Sequence, residues 1–279
     1  MPSVVITGAG SGIGAAAVVR LDRAGWRVFA GVHQRHDAEI LDRQTSERVT
    51  VELLDVTDGG SIEELAAKVG DGLGPDGLTA LVNNAGEGVA GPLETLPIEQ
   101  LRHQLEVNVV GQVAVTQQFL PLLRRDRSEN GSRVVFVGSM GGLVAVQFAG
   151  PYHASKYAIE AIGDAWRQEL APDRIQVAIV EPGPIATPIW SKAAHRLDSL
   201  PVNERYERRV AALREQLLRM GKESSGAAEA VDLIEHAVSA RRPHTRYTAG
   251  LAATFVPKVR RLLPDRLFDV LARHATTKN

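Results

Sequence analysis

Cysteine is absent from the chain, which excludes disulfides and thiolate chemistry. The absence fits a reducing compartment without demanding one. Neither sign of charge is in excess: 32 Lys and Arg stand against 33 Asp and Glu, a net charge of −1. No basic stripe offers a nucleic-acid footprint, so no nucleic-acid partner is expected, and no acidic surplus marks a disordered chain. No apolar run approaches the roughly 18 residues that a membrane span needs. Met1-Pro2-Ser3 leads at once into a strand-like stretch, without the basic-then-apolar layout of a secretory signal. A cytoplasmic protein is the expectation. What the chain does have is length and apolar content. Its 279 residues are 44% hydrophobic, enough to bury a sizeable core, and long for one domain but within its range.

Short apolar or β-branched runs recur at Val4-Val5-Ile6, 27–30, 49–51, 78–82, 133–137 and 175–180. Most show little alternation, as strands buried on both faces do. Segments with helical spacing lie between them, clearest at 13–24, 61–69, 101–123 and 154–170. This alternation implies βαβ units, hence an α/β fold: one doubly wound parallel sheet with helices on both faces. The pattern changes near Pro184. Residues 184–202 hold Pro184, Pro188 and Pro201 without a clear period and read as a loop. Helices are expected over 204–220 and 227–240. Residues 257–273 set Lys258, Arg260, Arg261, Arg266 and Arg273 around apolar positions. That tail is either a surface helix broken by Pro264 or a basic amphipathic segment that touches lipid or covers an apolar substrate.

The first strand runs into Thr7-Gly8-Ala9-Gly10-Ser11-Gly12-Ile13-Gly14, and a helix follows. Glycines allow a tight turn and let backbone approach a pyrophosphate closely. The helix N-terminus then offers free N–H groups and partial positive charge to the anion. A tight βα connection with no ligand would look similar, but the position between an apolar strand and a helix favours the anion site. The turn lacks the Gly-Lys-Ser/Thr ending of a nucleotide-hydrolysing P-loop.

The spacing Thr-Gly-x-x-x-Gly-x-Gly resembles the cofactor turn of the short-chain dehydrogenase/reductase family. Further motifs of that family follow in order: Asp55, Asn83-Asn84-Ala85-Gly86, Asn108, Ser139, Tyr152-x-x-x-Lys156 and Pro182-Gly183. Each motif is modest alone, and together in order they are specific over residues 3 to about 190. The resemblance implies a Rossmann fold and an oxidoreductase that uses NAD or NADP. It divides the chain into a catalytic domain over 1–250, with a cofactor half over about 1–140 and a helical substrate loop over about 184–222, and a C-terminal helical extension over 251–279. It implies no metal.

The implied catalytic residues are Asn108, Ser139, Tyr152 and Lys156. Reducing a ketone takes a hydride on carbon, which a nicotinamide provides, and a proton on oxygen. Tyr152 and Lys156 are four apart, so on a helix they share one face. A tyrosine of pKa about 10 is a poor base near neutrality, and a nearby ammonium favours the phenolate. The resemblance assigns Lys156 that role together with binding of the nicotinamide ribose. It has Ser139 position the substrate oxygen against the Tyr152 hydroxyl and Asn108 hold a water near Lys156, although an asparagine there also serves simply to bond backbone. Cofactor contacts are implied for Gly8, Ser11, Gly12, Ile13 and Gly14 at the pyrophosphate, and for His33, Arg35, Asp55 and Val56 at the adenosine. They are implied as well for Asn84, Ala85 and Gly86 along its length, and for Tyr152, Lys156, Pro182, Gly183, Ile185 and Thr187 at the nicotinamide. Asp55 reads equally as a helix cap, and Asn83-Asn84 equally as a tie between strands.

Val32 stands where an acidic residue would bond the ribose 2′-hydroxyl, and His33 and Arg35 are suited to a 2′-phosphate. The resemblance points the other way. Val28-Phe29-Ala30-Gly31-Val32, Phe119-Leu120-Pro121-Leu122-Leu123 and Ser139-Met140-Gly141-Gly142 look like the branch of retinol, 17β-hydroxysteroid and 3-hydroxybutyrate dehydrogenases, several of which use NAD without that acid. The balance falls to NAD over NADP. Leu143, Val144, Val146, Phe148, Ile189, Trp190 and Leu197 give 140–150 and 184–222 an apolar character, so a hydrophobic alcohol or carbonyl compound is favoured, steroid-, retinoid- or fatty-like. These side chains would be equally at home in a core. Helices over 98–124 and 151–171 resemble those that pair subunits as homodimers or homotetramers. Two other readings of the scaffold are an idle NAD(P)-binding redox sensor or complex subunit, and an epimerase or dehydratase. The intact Ser139, Tyr152 and Lys156 weigh against the first, and the absence of a longer substrate domain weighs against the second.

Overall fold

The six apolar runs become strands β1 (Ser3–Thr7), β2 (Arg27–Val32), β3 (Val49–Leu53), β4 (Ala80–Asn83), β5 (Arg133–Val137) and β6 (Gln176–Pro182) in a computed structural model that describes residues 1–224 and 226–277. A further strand, β7 (Arg246–Ala249), was not evident in the sequence: its four residues are half polar and follow no apolar run. The sheet order is β3-β2-β1-β4-β5-β6-β7, and every pair is parallel. Every residue of β1, β4 and β5 is buried, which is why their sequences do not alternate. The edge strand β3 is half exposed and does alternate, with Thr50 turned outward.

The helices are α1 (Gly12–Arg23), α2 (Arg35–Asp42), α3 (Gly59–Leu73), α4 (Ile98–Leu105), α5 (Gly111–Leu123), α6 (Gly150–Glu169), α7 (Pro188–Leu197), α8 (Glu207–Glu223), α9 (Ala228–Ser239), α10 (Leu251–Leu262) and α11 (Asp265–Thr277). One face of the sheet packs on α3, α5 and α6 through Leu65, Phe119, Phe136 and Ile159. The other packs on α1 and α9 through Val18, Leu21, Val231 and Ile234. Side chains of this size each stabilise the fold by about 1.5–3 kcal/mol when fully buried. The strand order turns back between β1 and β4, and a crevice for a ligand opens there at the strands' C-terminal ends.

Two expectations are corrected. Residues 184–202 are not a plain loop: α7 occupies Pro188–Leu197, with Pro188 in its first turn, where proline starts a helix rather than breaking it. Ala193, Ala194 and Leu217 then pack α7 against α8. The long helix predicted over 101–123 is interrupted by a π turn at Glu106–Val110, which no periodicity announces. In the tail, Pro264 stands between α10 and α11. Residues 278–279 of the 251–279 extension lie outside the described residues.

Candidate active site

A cavity of about 690 Å³ opens over the switch point. Its floor is the glycine turn. Gly8 and Gly12 adopt φ of +64° and +59°, left-handed values that favour glycine. A Cβ on Gly8 would stand 2.6 Å from the Ala85 Cα, and one on Gly14 would collide with the Gly8 carbonyl. Ser11 caps α1 without a side-chain hydrogen bond, so the first N–H groups of that helix face the cavity without a cap. Bare backbone at a helix N-terminus fits a pyrophosphate.

Asn84 ties this floor to β4. Its Nδ2 donates to the carbonyls of Thr7 and Gly8, both at 3.0 Å, while Thr7 Oγ1 accepts from the backbone of Asn84 and Ala85. Asn83 is turned away and donates to Thr116 Oγ1 at 2.8 Å. Ala85, Gly86, Pro182, Gly183, Ile185 and Thr187 all line the cavity. The Ile185 carbonyl accepts from the Trp190 ring nitrogen at 2.6 Å, which folds the indole over that wall.

His33, Asp55 and Val56 line the far end, near β2 and β3, but Arg35 does not. Arg35 is exposed at the start of α2 and is not part of the cavity lining. The residue of that stretch that does line it is Asp37, whose carboxylate packs against Gly10. Asp37 was not foreseen, because it lies in the first turn of a short helix rather than at the strand end where an acid is sought. Asp55 does not cap α3; Asp58 does, accepting from the Gly60 backbone at 2.9 Å. Asp55 instead accepts from the Thr57 backbone and hydroxyl at 2.9 and 2.7 Å. Burial alone would raise its pKa, but those bonds and the charges of His33 and His103 outweigh burial and hold it below the usual carboxylate range.

At the other end Tyr152 and Lys156 share the inner face of α6. The Tyr152 hydroxyl and the Ser139 hydroxyl are hydrogen-bonded to each other. Ser139 is itself fixed by accepting from the Gly141 backbone at 3.0 Å. The Lys156 ammonium donates to the Val137 carbonyl at 2.8 Å and lies 5.9 Å from the Tyr152 ring centroid. Burial lowers its pKa to about 8, with Glu160 pulling the other way. The expected depression of the Tyr152 pKa by Lys156 is not found. Burial raises it and only Ser139 opposes that, because the ammonium is turned to Val137 rather than to the phenol oxygen. Asn108 is fully buried and does not line the cavity. Its amide accepts from Glu87 N at 2.9 Å and donates to Glu87 O and Ser155 Oγ at 3.0 Å, so it clamps α6 to the segment after β4.

Of the apolar residues singled out in the sequence, Val146, Phe148, Ile189 and Trp190 line the cavity. Leu143, Val144 and Leu197 do not, and Val144 and Leu197 are core. The inner face of α8 supplies a further stretch of wall through Arg208, Arg209, Ala212, Leu213, Gln216, Leu217 and Met220.

The sequence and the fold resemble those of known proteins. The family model for the short chain dehydrogenase matches residues 2–198. Retinol dehydrogenase 16 of Mus musculus is 38% identical over 281 residues, covering 96% of this chain and 86% of its own. The 17-beta-hydroxysteroid dehydrogenase type 6 of Bos taurus is 35% identical over 286 residues, covering 99% and 89%. A solved short chain dehydrogenase of Burkholderia cenocepacia in complex with NADP superposes with a TM-score of 0.70 at 26% identity, covering 100% and 98%. The chain belongs to the short-chain dehydrogenase family and is an NAD(P)-dependent oxidoreductase. Within that family it falls in the branch of the retinol and 17β-hydroxysteroid dehydrogenases.

Proposed function

We propose that the protein interconverts a hydrophobic secondary alcohol with its ketone, or a primary alcohol with its aldehyde, using Tyr152 as the acid and base. The observation that carries this reading is the Tyr152–Ser139 hydrogen bond inside the cavity, one helical turn from Lys156. A bound nicotinamide supplies or accepts the hydride. The raised pKa of Tyr152 keeps the phenol protonated at neutral pH, ready to donate to a carbonyl oxygen. Ser139 holds that oxygen against it, a positioning effect. In oxidation Tyr152 takes the proton back, and Lys156 is the nearby cation that favours the phenolate once its ammonium turns from Val137. Asn108 acts through Ser155 and the Glu87 backbone rather than on the substrate. Gly8, Ser11, Gly12 and Ile13 would hold the pyrophosphate, while Gly14, expected there too, lies buried outside the cavity lining and leaves room for the Gly8 carbonyl; Asp55 and Val56 would hold the adenine, and Ile185 and Thr187 the nicotinamide. NAD is the favoured cofactor because the Asp37 carboxylate against Gly10 opposes a 2′-phosphate, while His33 alone would welcome one.

In this reading residues 1–250 are the catalytic unit, 184–222 closes over an apolar substrate, and the compartment is the cytoplasm. No helix among the described residues is long and apolar enough to cross a membrane. Leu251, Phe255, Val259 and Leu262 nevertheless form an exposed stripe on α10 beside Lys258 and Arg261. This favours contact with an anionic membrane surface, and failure to float with anionic vesicles would contradict it. Helices α4, α5 and α6 are assigned to a homodimer or homotetramer contact, which a one-chain mass in light scattering would refute. The main reading is tested by following nicotinamide absorbance with both cofactors against a panel of hydrophobic alcohols and ketones. Turnover supports it. Cofactor binding without any turnover across the panel marks an idle redox-sensing protein instead.

A further inference from the structure

One face of α8 changes character along its length. Its cavity-lining residues begin with Arg208 and Arg209 and continue through Ala212, Leu213, Leu217 and Met220. The spacing is that of a single helical face. Among the other charged residues of α8, Glu207, Arg214, Glu215, Arg219 and Lys222 do not line the cavity. Glu207 and Arg214 instead border a small hollow on its opposite side. In a chain of net charge −1, two cations therefore stand at one end of an inner face whose other lining residues are apolar except for the uncharged Gln216.

Neither arginine has a carboxylate partner among the described residues. By contrast Arg196, on the same wall, is held by Glu87 through two bonds of 2.7 Å. Arg209 is fixed without being neutralised. Its guanidinium lies 5.3 Å from the Phe148 ring centroid and 4.8 Å from that of Tyr206. Tyr206 is anchored by donating to Glu94 at 2.6 Å. Phe148 is held at φ +64°, a left-handed conformation costly for an aromatic residue, by a 2.7 Å bond from Gly91 N to its carbonyl. Phe148 also stands four residues before Tyr152, on the same cavity wall. Rings therefore orient a guanidinium on the path to the reacting group, next to a surface suited to a hydrocarbon chain.

We propose that Arg208 and Arg209 form an anion subsite at the rim of the cavity, and that the substrate is an amphiphile: an apolar chain bearing a carboxylate, phosphate or sulfonate group. This rests on the oxidoreductase reading of the same cavity and narrows its substrate class. Head-group contact at the arginines leaves the chain along Leu213, Leu217 and Trp190.

The test separates the two readings by measuring binding rather than turnover. Trp190 lines the cavity, so its fluorescence reports occupancy, with Trp190→Phe giving the background from the other two tryptophans. The protein with saturating NAD⁺ is titrated with dodecanoate and with methyl dodecanoate, below their micelle concentrations. The acid is expected to bind about tenfold more tightly at low ionic strength, with the preference shrinking as salt is added. In the Arg208→Ala/Arg209→Ala protein the two ligands bind alike, while Arg219→Ala keeps the preference. Dodecyl phosphate and dodecane sulfonate, run in parallel, identify the head group by whichever binds tightest. A native preference below about twofold, or one that survives the double substitution, overturns the proposal. So does a double variant that loses affinity for NAD⁺ instead, since the arginines would then belong to the cofactor. Failure of hydride transfer across the ketone panel would sink the oxidoreductase reading and leave this binding result standing.

Discussion

The two ends of the cavity are built on different principles. At the cofactor end the surface is mostly backbone: a glycine turn, a bare helix N-terminus and strand ends locked by Thr7 and Asn84. At the substrate end it is side chains on α7 and α8, joined by a small apolar cluster of Ala90, Ala193, Ala194 and Leu217 with Trp190, Leu213 and Leu218 packed around it. Backbone surfaces tolerate almost no change, whereas a wall of side chains on a pair of helices accepts many residues. In the proposed function the first kind of surface fixes the cofactor and the second tunes what reacts with it.

Substitutions at the two ends sharpen this contrast. The largest effect is expected at Gly14, where any Cβ meets the Gly8 carbonyl and the Asn84 amide. Gly14→Ala should weaken NAD⁺ binding by about a hundredfold, since overpacking of this kind costs up to about 3 kcal/mol. Calorimetry measures this, and circular dichroism checks that the sheet remains. An affinity within a few-fold of native would show that the floor is more pliable than its geometry.

A smaller effect is expected at Glu181. This carboxyl is 2% exposed beside Glu160, and burial and that neighbour raise its pKa to about 7. Its folded pKa lies above the unfolded one, so the protonated form favours the fold and stability falls as pH rises from about 4.5 to about 7. Glu181→Gln should shrink that fall, by on the order of 2 kcal/mol, in urea melts at the two pH values, leaving the part that belongs to Glu160, whose pKa burial also raises. An unchanged pH dependence would place its origin elsewhere. Smallest is Asp37→Asn, at the boundary of the backbone floor. Removing the carboxylate should shift the NADP⁺ to NAD⁺ ratio of kcat/KM toward NADP⁺ by about fivefold. No shift would remove Asp37 from cofactor choice.

The same contrast explains what was legible in the sequence. Glycine spacing carries its meaning because backbone geometry demands glycine there, and Tyr152-x-x-x-Lys156 because a spacing of four puts both side chains on one face of α6. Strands β1 to β6 announce themselves as apolar runs for the same reason of burial. Asp37 was not legible, because its position depends on how α2 leaves β2. Arg35, one residue past the N-cap of that helix, read as a phosphate contact and does not line the cavity. Helix α7 was hidden by its prolines, and β7 by Arg246, which serves the carboxylates of Glu160, Asp164 and Glu181 rather than an apolar core. Leu143, Val144 and Leu197 show the limit of composition: apolar character does not say which side of a wall a residue occupies. The direction of the Lys156 ammonium, toward Val137 O, follows from packing that no spacing encodes.

The central claim is that the Tyr152 hydroxyl is the group that exchanges a proton with the substrate oxygen. Its most direct test is Tyr152→Phe, which keeps the ring and deletes only that hydroxyl. Measured on a ketone or alcohol that the native protein turns over, kcat should fall by about 10²–10⁴, while calorimetric NAD⁺ affinity stays close to native. Turnover at the native rate in Tyr152→Phe would contradict the account.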